Sequence, residues 1–332
     1  MEALPQVEGW PVRQAALGVT SADGTIDQRG DATASLPWAS VTKLVTALAA
    51  LVAAEEGAVD LDEAAGPPGS TLRHLLAHAS GLPPEGETPI AKPGARRIYS
   101  NGGFEALAER VAARAEMPFG DYLRKAVLAP LRMAASLDGS PASGISGMLG
   151  DLLSLGRELL RPTLIAPETL AEATVVAFPG LAGVLPGFGR MDPNDWGLGF
   201  ELRDDKRPHW TGSRNSPTTF GHFGQSGSFL WVDPEAGIAC ACLTDTRFGD
   251  WAKDAWPRLA DAVLEGRPAW VREGAAAHFS EDGDGPLGRV ECPQDVELTR
   301  PLSVGAFGDA TRRARACFER QLSWRKDWRA VK

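Results

Sequence analysis

Cations are in the minority in this 332-residue chain, cysteine and tyrosine are scarce, and long apolar runs are missing. Lys and Arg total 34 against 43 Asp and Glu, a formal net charge of −9. That balance argues against a nucleic-acid binder, whose affinity rests on Lys and Arg neutralising phosphates. With no stretch of about 18 apolar residues, no helical membrane span is expected. Met1 to Thr20 holds Glu2, Pro5, Glu8 and Pro11 and no apolar run of the length a secretory leader needs, which predicts a cytoplasmic protein. The four cysteines, Cys240, Cys242, Cys292 and Cys317, form no C-x-x-C pair, which argues for reduced thiols rather than a metal or disulfide framework. His74 and His78 lie four apart, but Leu75 stands where a zinc-binding H-E-x-x-H needs glutamate. Gly224-Gln225-Ser226-Gly227-Ser228 lacks the last glycine of a nucleophile elbow, and no P-loop or dinucleotide fingerprint occurs. No cofactor or metal is expected. The expected partner is a small-molecule substrate, and the oligomeric state is left open.

What is present supports a substantial core, since 43% of the residues are hydrophobic. Short runs at 14–19 and 24–29 flank Ala22-Asp23-Gly24 and predict a β-hairpin. From Ser40 to Glu56 the chain is apolar on every side and ends at Gly57, as a buried helix would. Ser70 reads as the cap of a helix over 70–79, and 81–98 as a long loop. Helical patterns follow near 103–115, 118–128, 147–160 and 167–174. Strand patterns follow at 196–203, 219–223, 228–232 and 237–244, then a helix at 250–265. Cys240 and Cys242 should face one side of their strand and pack there. The pattern predicts an α/β (α+β) domain over 1–272, with an antiparallel sheet built from 1–60 and 195–272 and an all-α insertion over 61–194. Residues 273–332 read as a poorly ordered extension. Its last part, 311–332, carries eight Lys and Arg against two acids, and a basic amphipathic helix through Phe318, Leu322 and Trp324 or Trp328 is the alternative there.

Three motifs carry chemistry. Ser40-Val41-Thr42-Lys43 places a hydroxyl and an amine on one face at a helix start. There the helix dipole favours an anionic oxygen, and the Ser40 N–H is free for an oxyanion. Desolvation would lower the lysine pKa and let it accept the hydroxyl proton. A second Ser-x-x-Lys, Ser323 to Lys326, lies in the charged tail with nothing to bury it. Tyr99-Ser100-Asn101 sits at a loop-to-helix junction. A tyrosine near a lysine can be driven toward phenolate and serve as acid/base, and an Asn amide can hold both a lysine and a substrate carbonyl. His222-Phe223-Gly224-Gln225 lies on a strand, where Gly224 allows a ligand backbone close approach and the Gln225 N–H could complete an oxyanion hole.

In this order and around helical chain, the three motifs resemble those of the serine β-lactamase and penicillin-binding-protein family, nearest its class C β-lactamase-like and carboxylesterase branch. Leu75-Leu76-Ala77-His78-Ala79-Ser80-Gly81-Leu82-Pro83 and Phe229-Leu230-Trp231-Val232-Asp233-Pro234 resemble two further segments of that group, and the likeness spans roughly residues 12–270. It implies a β-lactamase/transpeptidase-like fold and a serine hydrolase working through an acyl-enzyme. Ser40 would be the nucleophile, Lys43 its partner and Tyr99 the general acid/base. Asn101 would contact substrate, as would the His222 and Gly224 strand, and the Ser40 and Gln225 amides would hold the oxyanion. One position departs from the pattern. The antibiotic-directed members carry Lys-Thr/Ser-Gly where this chain has His222-Phe223-Gly224, and an imidazole is mostly neutral at pH 7. Small esters or amides are therefore the expected substrates, with β-lactam or D-amino-acid peptide hydrolysis as the alternative and a non-turnover sensor as another.

Overall fold

The computed structural model describes residues 1–268 and Val271, which fall in one compact unit, Met1–Glu281. The extension expected over 273–332, with Cys292, Cys317, Ser323 and the apolar tail residues, lies outside the described residues.

After a 3-10 turn at Leu4–Gly9 come β1 (Ala15–Thr20) and β2 (Thr25–Gly30). Their turn closes as expected: Thr20 Oγ1 and the Ser21 N–H both donate to the Gly24 carbonyl. Short β3 (Leu36–Pro37) leads to α1 (Thr42–Glu55). The next segment holds α2 (Leu72–Leu76), α3 (Asn101–Ala115), α4 (Phe119–Leu123), β4 (Ser136–Leu137), β5 (Ile145–Gly147), α5 (Leu149–Leu160) and α6 (Pro167–Ala173). A hairpin of β6 (Gly183–Leu185) and β7 (Gly189–Met191) precedes β8 (Glu201–Leu202), β9 (Phe220–Phe223), β10 (Phe229–Asp233), β11 (Ile238–Thr244) and α7 (Asp250–Glu265).

The main sheet is antiparallel with strand order β2-β1-β11-β10-β9-β8. Its central strands are buried on both faces, and their period-2 alternation sorts side chains into two cores. On β11, Ala239, Ala241 and Leu243 face the core built by α1, α3 and α5. Ile238, Cys240 and Cys242 face the other, shared with Leu4, Val7 and the α7 residues Trp256, Leu259 and Val263. The two cysteines are free and buried, and pack on one side as the spacing predicted. Within the stretch expected to form a helical insertion, α5 lies on the sheet, where a Cβ at Gly156 would stand 3.0 Å from that of Ala239. α1 is the centre of the larger core: every residue from Thr42 to Ala53 is buried.

Several local expectations shift. The α2 cap is Thr71, not Ser70; Thr71 Oγ1 accepts from the His74 N–H, whereas the Ser70 carbonyl is used by the Ala65 N–H. The helix expected over 118–128 changes pitch at Arg124–Leu128, a π turn closed by the Ala129 N–H on the Arg124 carbonyl. Only Glu201–Leu202 of the strand expected at 196–203 pairs with β9. The rest folds back on itself, with the Gly197 N–H donating to the Phe200 carbonyl and Trp196 bridging to Glu201. Gly199, at φ +92, sits where a Cβ would meet that of Ala47 of α1 at 2.1 Å. Among the described residues no helix is long and apolar enough to cross a membrane.

Candidate active site

Ser40 does not open α1 itself but sits in a 3-10 turn, Ala39–Val41, immediately before it. The turn is entered through Ala39 at φ +46, a left-handed backbone that non-glycine residues adopt only when packing imposes it. That packing is visible. The Trp38 side chain is fully buried, and its carbonyl accepts the Val41 N–H and, at 2.7 Å, the Ser228 hydroxyl. Gly224 passes so close to this carbonyl that a Cβ there would lie 2.4 Å from it. The close approach expected at Gly224 is thus made by the protein's own backbone, and it brings the end of β9 beside Ser40.

Lys43 is fully buried in the first turn of α1. Its Nζ donates to Asn101 Oδ1 at 2.7 Å and to the Ala142 carbonyl at 2.9 Å, and stands 3.5 Å from Ser40 Oγ. The Ala142 carbonyl is delivered by α1's own threonines: Thr42 Oγ1 accepts the Ile145 N–H, and Thr46 Oγ1 donates to Pro141. Desolvation pulls the Lys43 pKa down to about 7, against the opposing pull of Glu85 and Glu105. An amine there is neutral in a large fraction of molecules at physiological pH.

The Tyr99 ring lies beneath that amine, its centroid 4.7 Å from Nζ, and its hydroxyl is buried beside Ser40. Burial raises the Tyr99 pKa, with only the Ser40 interaction pulling the other way. The shift runs opposite to the phenolate expected from the sequence, because loss of hydration penalises the anion more than its neighbours favour it. Asn101 is the first residue of α3, capped by Ser100, whose Oγ accepts the Gly103 N–H at 3.0 Å. The amide of Asn101 bridges two partners, donating from Nδ2 to Glu85 Oε1 at 2.6 Å while Oδ1 receives Lys43.

His222 on β9 is buried, and its Nδ1 donates to the Phe223 carbonyl at 2.7 Å. Burial and the nearby Lys43 hold its pKa at about 3, so the ring is neutral with the lone pair on Nε2, and Nε2 has no partner among the described residues. The backbone N–H groups of Ser40 and Gln225 find no acceptor among the described residues. Ser40, Tyr99, Asn101, His222 and Gln225 line one cavity of about 200 Å³, together with Leu185, Pro186, Trp196, Glu201 and Phe223. Each residue given a catalytic or substrate-contacting place from the sequence therefore lies on this cavity, directly behind it as Lys43 does, or at the strand end beside it as Gly224 does.

Other residues around the site were given no role there from the sequence, although His78 lies in the segment 75–83 quoted above. His78 lies under the cavity, its Nδ1 accepting the Ser100 N–H and its ring 4.6 Å from that of Tyr99. The buried Arg97 guanidinium donates to the carbonyls of Ala77, Ala177, Phe178 and Asn194, pinning the chain that carries Tyr99. Glu201 receives Lys206 Nζ at 2.5 Å, His209 Nε2 at 2.9 Å and Trp210 Nε1 at 2.8 Å, and its Lys206 and His209 partners hold its pKa at about 2 despite burial. The glycine-poor, charge-rich stretch 201–210 gives no hint that these groups converge. The His74–His78 pair is split: the His74 ring packs on Phe178, while His78 turns inward. Among the described residues no group of three or more His, Cys, Asp or Glu is placed to hold a metal.

The sequence profile of the family described as Beta-lactamase matches residues 6–264. A crystal structure of a protein from Mycobacterium bovis described as a beta-lactamase is 52% identical, covers 79% of this chain and 98% of its own, and superposes with a TM-score of 0.78. At 18% identity, a simvastatin synthase mutant from Aspergillus terreus covers 80% of this chain and 97% of its own, with a TM-score of 0.65. A hydrolase with promiscuous acyltransferase activity, 17% identical, covers 79% and 97% with a TM-score of 0.64. These two more distant likenesses concern the fold. No curated protein sequence matches the chain.

Proposed function

The chain belongs to the beta-lactamase family, and on that premise we propose that it is a serine hydrolase cleaving small, uncharged esters through an acyl-enzyme on Ser40. One observation carries the reading: the bonding of Lys43 leaves its amine one direction for Ser40. A neutral amine has two N–H bonds and one lone pair. With the N–H groups directed at Asn101 Oδ1 and the Ala142 carbonyl, the lone pair is left for the Ser40 hydroxyl.

The steps follow from that geometry. Ser40 Oγ attacks the substrate carbonyl as its proton passes to Lys43 Nζ. The carbonyl oxygen becomes an oxyanion facing the Ser40 and Gln225 N–H groups. Collapse breaks the carbonyl-to-leaving-group bond, and the leaving oxygen takes the Tyr99 phenol proton, which Tyr99 recovers from Lys43. Water then attacks the acyl group, passing its proton to the amine as Ser40 did. The acyl–Oγ bond breaks, and the ammonium returns that proton to Ser40 Oγ, leaving the free hydroxyl, the neutral amine and the carboxylic acid product. No cofactor takes part in this scheme, and the partner is a small molecule.

Preference for uncharged substrates rests on the cavity wall. Its lining side chains include no Lys or Arg, and His222 offers an acceptor rather than a cation. A substrate carboxylate would lose its hydration without gaining an ion pair. Because the 52% identical Mycobacterium bovis protein is described as a beta-lactamase, β-lactam hydrolysis is the second reading.

The experiment is a panel of a short-chain nitrophenyl ester, a chromogenic cephalosporin and a D-Ala-D-Ala peptide, run on the wild type and on Ser40→Ala. The ester should turn over fastest, many times per enzyme, and Ser40→Ala should abolish it. Faster cephalosporin hydrolysis would make the second reading the right one. Stoichiometric labelling without turnover would make the protein an acylated sensor.

A further inference from the structure

Lys43 can act as a base only if the amide beside it is the right way round. A carboxamide is nearly symmetric in shape, but its two ends have opposite hydrogen-bonding character. If Asn101 were flipped, its Nδ2–H would face Lys43 and occupy the lone pair needed for Ser40. We propose that Glu85 is a positioning residue of this site, its carboxylate fixing the Asn101 amide so that Oδ1 faces Lys43. The inference rests on the serine-hydrolase reading above.

The contact is built rather than incidental. An ionised carboxylate only accepts, so Glu85 Oε1, 2.6 Å from Asn101 Nδ2, selects the donor end of the amide. The opposite end is then placed 2.7 Å from Lys43 Nζ. Glu85 itself is exposed, on the loop before Tyr99, yet that loop is tied to the start of α3 on both sides of it. Ser100 Oγ donates to the Pro83 carbonyl at 2.6 Å, and the Asn101 N–H donates to that of Pro84 at 3.0 Å. Beyond Glu85, the Gly86 carbonyl presses so close to α3 that a Cβ at Gly102 would lie 2.8 Å from it. A carboxylate at this helix start also meets the positive end of the α3 dipole.

Charge gives Glu85 a second, separable effect. The groups that act on Lys43 are the carboxylates of Glu85 and Glu105, which raise its pKa, and the neutral Tyr99, His78 and His222 packed around it. Glutamine at position 85 keeps an oxygen for Asn101 but removes the charge, whereas alanine removes both.

The test is kcat and KM for a nitrophenyl ester from pH 5 to 10, on the full chain and on Glu85→Gln and Glu85→Ala. Ser40→Ala and Lys43→Ala serve as controls. Glu85→Ala should lower plateau kcat about fivefold, the worth of one ordinary hydrogen bond, with KM within twofold. Its acid limb should move down by roughly half a pH unit, as expected for loss of an exposed carboxylate near a base. Glu85→Gln should recover most of the plateau and keep the displaced limb. Wild-type plateau and limb in Glu85→Ala would overturn the proposal, as would a wild-type limb in Glu85→Gln should the alanine variant fail to fold. If instead Ser40→Ala or Lys43→Ala retains turnover, the hydrolase reading fails, and the controls report that separately.

Discussion

Lys43 Nζ stands 3.5 Å from Ser40 Oγ, farther than from either of the acceptors it already holds, Asn101 Oδ1 at 2.7 Å and the Ala142 carbonyl at 2.9 Å. The amine is thus anchored by its N–H groups and merely aimed at the serine. In the mechanism proposed above, a contact of this kind would tighten when substrate presses Ser40 toward Lys43.

A pH-rate profile follows from the Lys43 pKa of about 7. In the proposed mechanism the neutral amine is the working form, so kcat/KM for an uncharged ester should rise with pH and level off above about 7. Below that, it should fall about tenfold per pH unit. His222, neutral down to about pH 3, adds no inflection between pH 5 and 8. Steady-state kinetics with a non-titrating substrate checks this, and a flat profile from pH 5 to 8 would refute it.

The same shift has a stability consequence. Lys43 is lowered on folding, so between pH 7 and 10.5 the unfolded chain binds more protons than the native one, and stability rises with pH across that window. Lys43→Met removes this dependence. The stability of the wild type relative to Lys43→Met should therefore improve from pH 7 to pH 10, measured by urea unfolding at both. A difference independent of pH would show that Lys43 is not depressed in the native state.

Tyr99 is raised rather than lowered, so its phenol remains protonated through pH 10. Tyr99→Phe should cost about 100-fold in kcat, the scale of a lost general acid. The wild type should show no activity loss assignable to Tyr99 between pH 8 and 10. An inflection in that range that disappears in Tyr99→Phe would instead identify a working phenolate.

Gly224→Ala places a methyl group 2.4 Å from the Trp38 carbonyl and 2.6 Å from Ser228 Oγ. The turn carrying Ser40 must shift, so stability should fall by about 1–3 kcal/mol and kcat should fall with it. Thermal unfolding and ester turnover report the two effects. A variant as stable and active as the wild type would mean the turn is not held by this contact.

Glu201→Gln leaves the buried Lys206 ammonium without its counter-charge, although the Asp195 and Leu202 carbonyls still accept from it. A loss of about 3–5 kcal/mol is expected, as for other buried pairs broken on one side. Denaturant unfolding measures it, and a loss under 1 kcal/mol would show the pair to be well compensated.

The parts legible in the sequence were those governed by local pattern. α1 could be read from its unbroken apolar run, β1–β2 from its turn residues, and β9 to β11 with α7 from short strand patterns followed by a helical one. Ser40, Lys43, Tyr99, Asn101, His222 and Gln225 were legible as short motifs. What they do there remains with the proposal above. Ser70 misled as a cap because two adjacent hydroxyls offer the same local pattern, and the backbone places Thr71 Oγ1, not Ser70 Oγ, where it accepts the His74 N–H. The 196–203 strand was cut short where the chain folds back on itself, with Gly199 against Ala47, a contact between segments about 150 residues apart.

By itself the sequence determined which residue types stand at which spacing, and therefore the buried helix, the sheet strands and the presence of a hydroxyl, an amine, a phenol and an amide. Only the tertiary structure decided their states. Burial lowers the Lys43 pKa to about 7 and raises that of Tyr99, and the Phe223 carbonyl leaves the His222 lone pair on Nε2. Glu85, Ala142 and Glu201 acquire their places only because distant segments meet. The physical reason is that protonation and hydrogen-bond direction depend on lost hydration and on partners brought together by folding, and neither is encoded in any one stretch of chain.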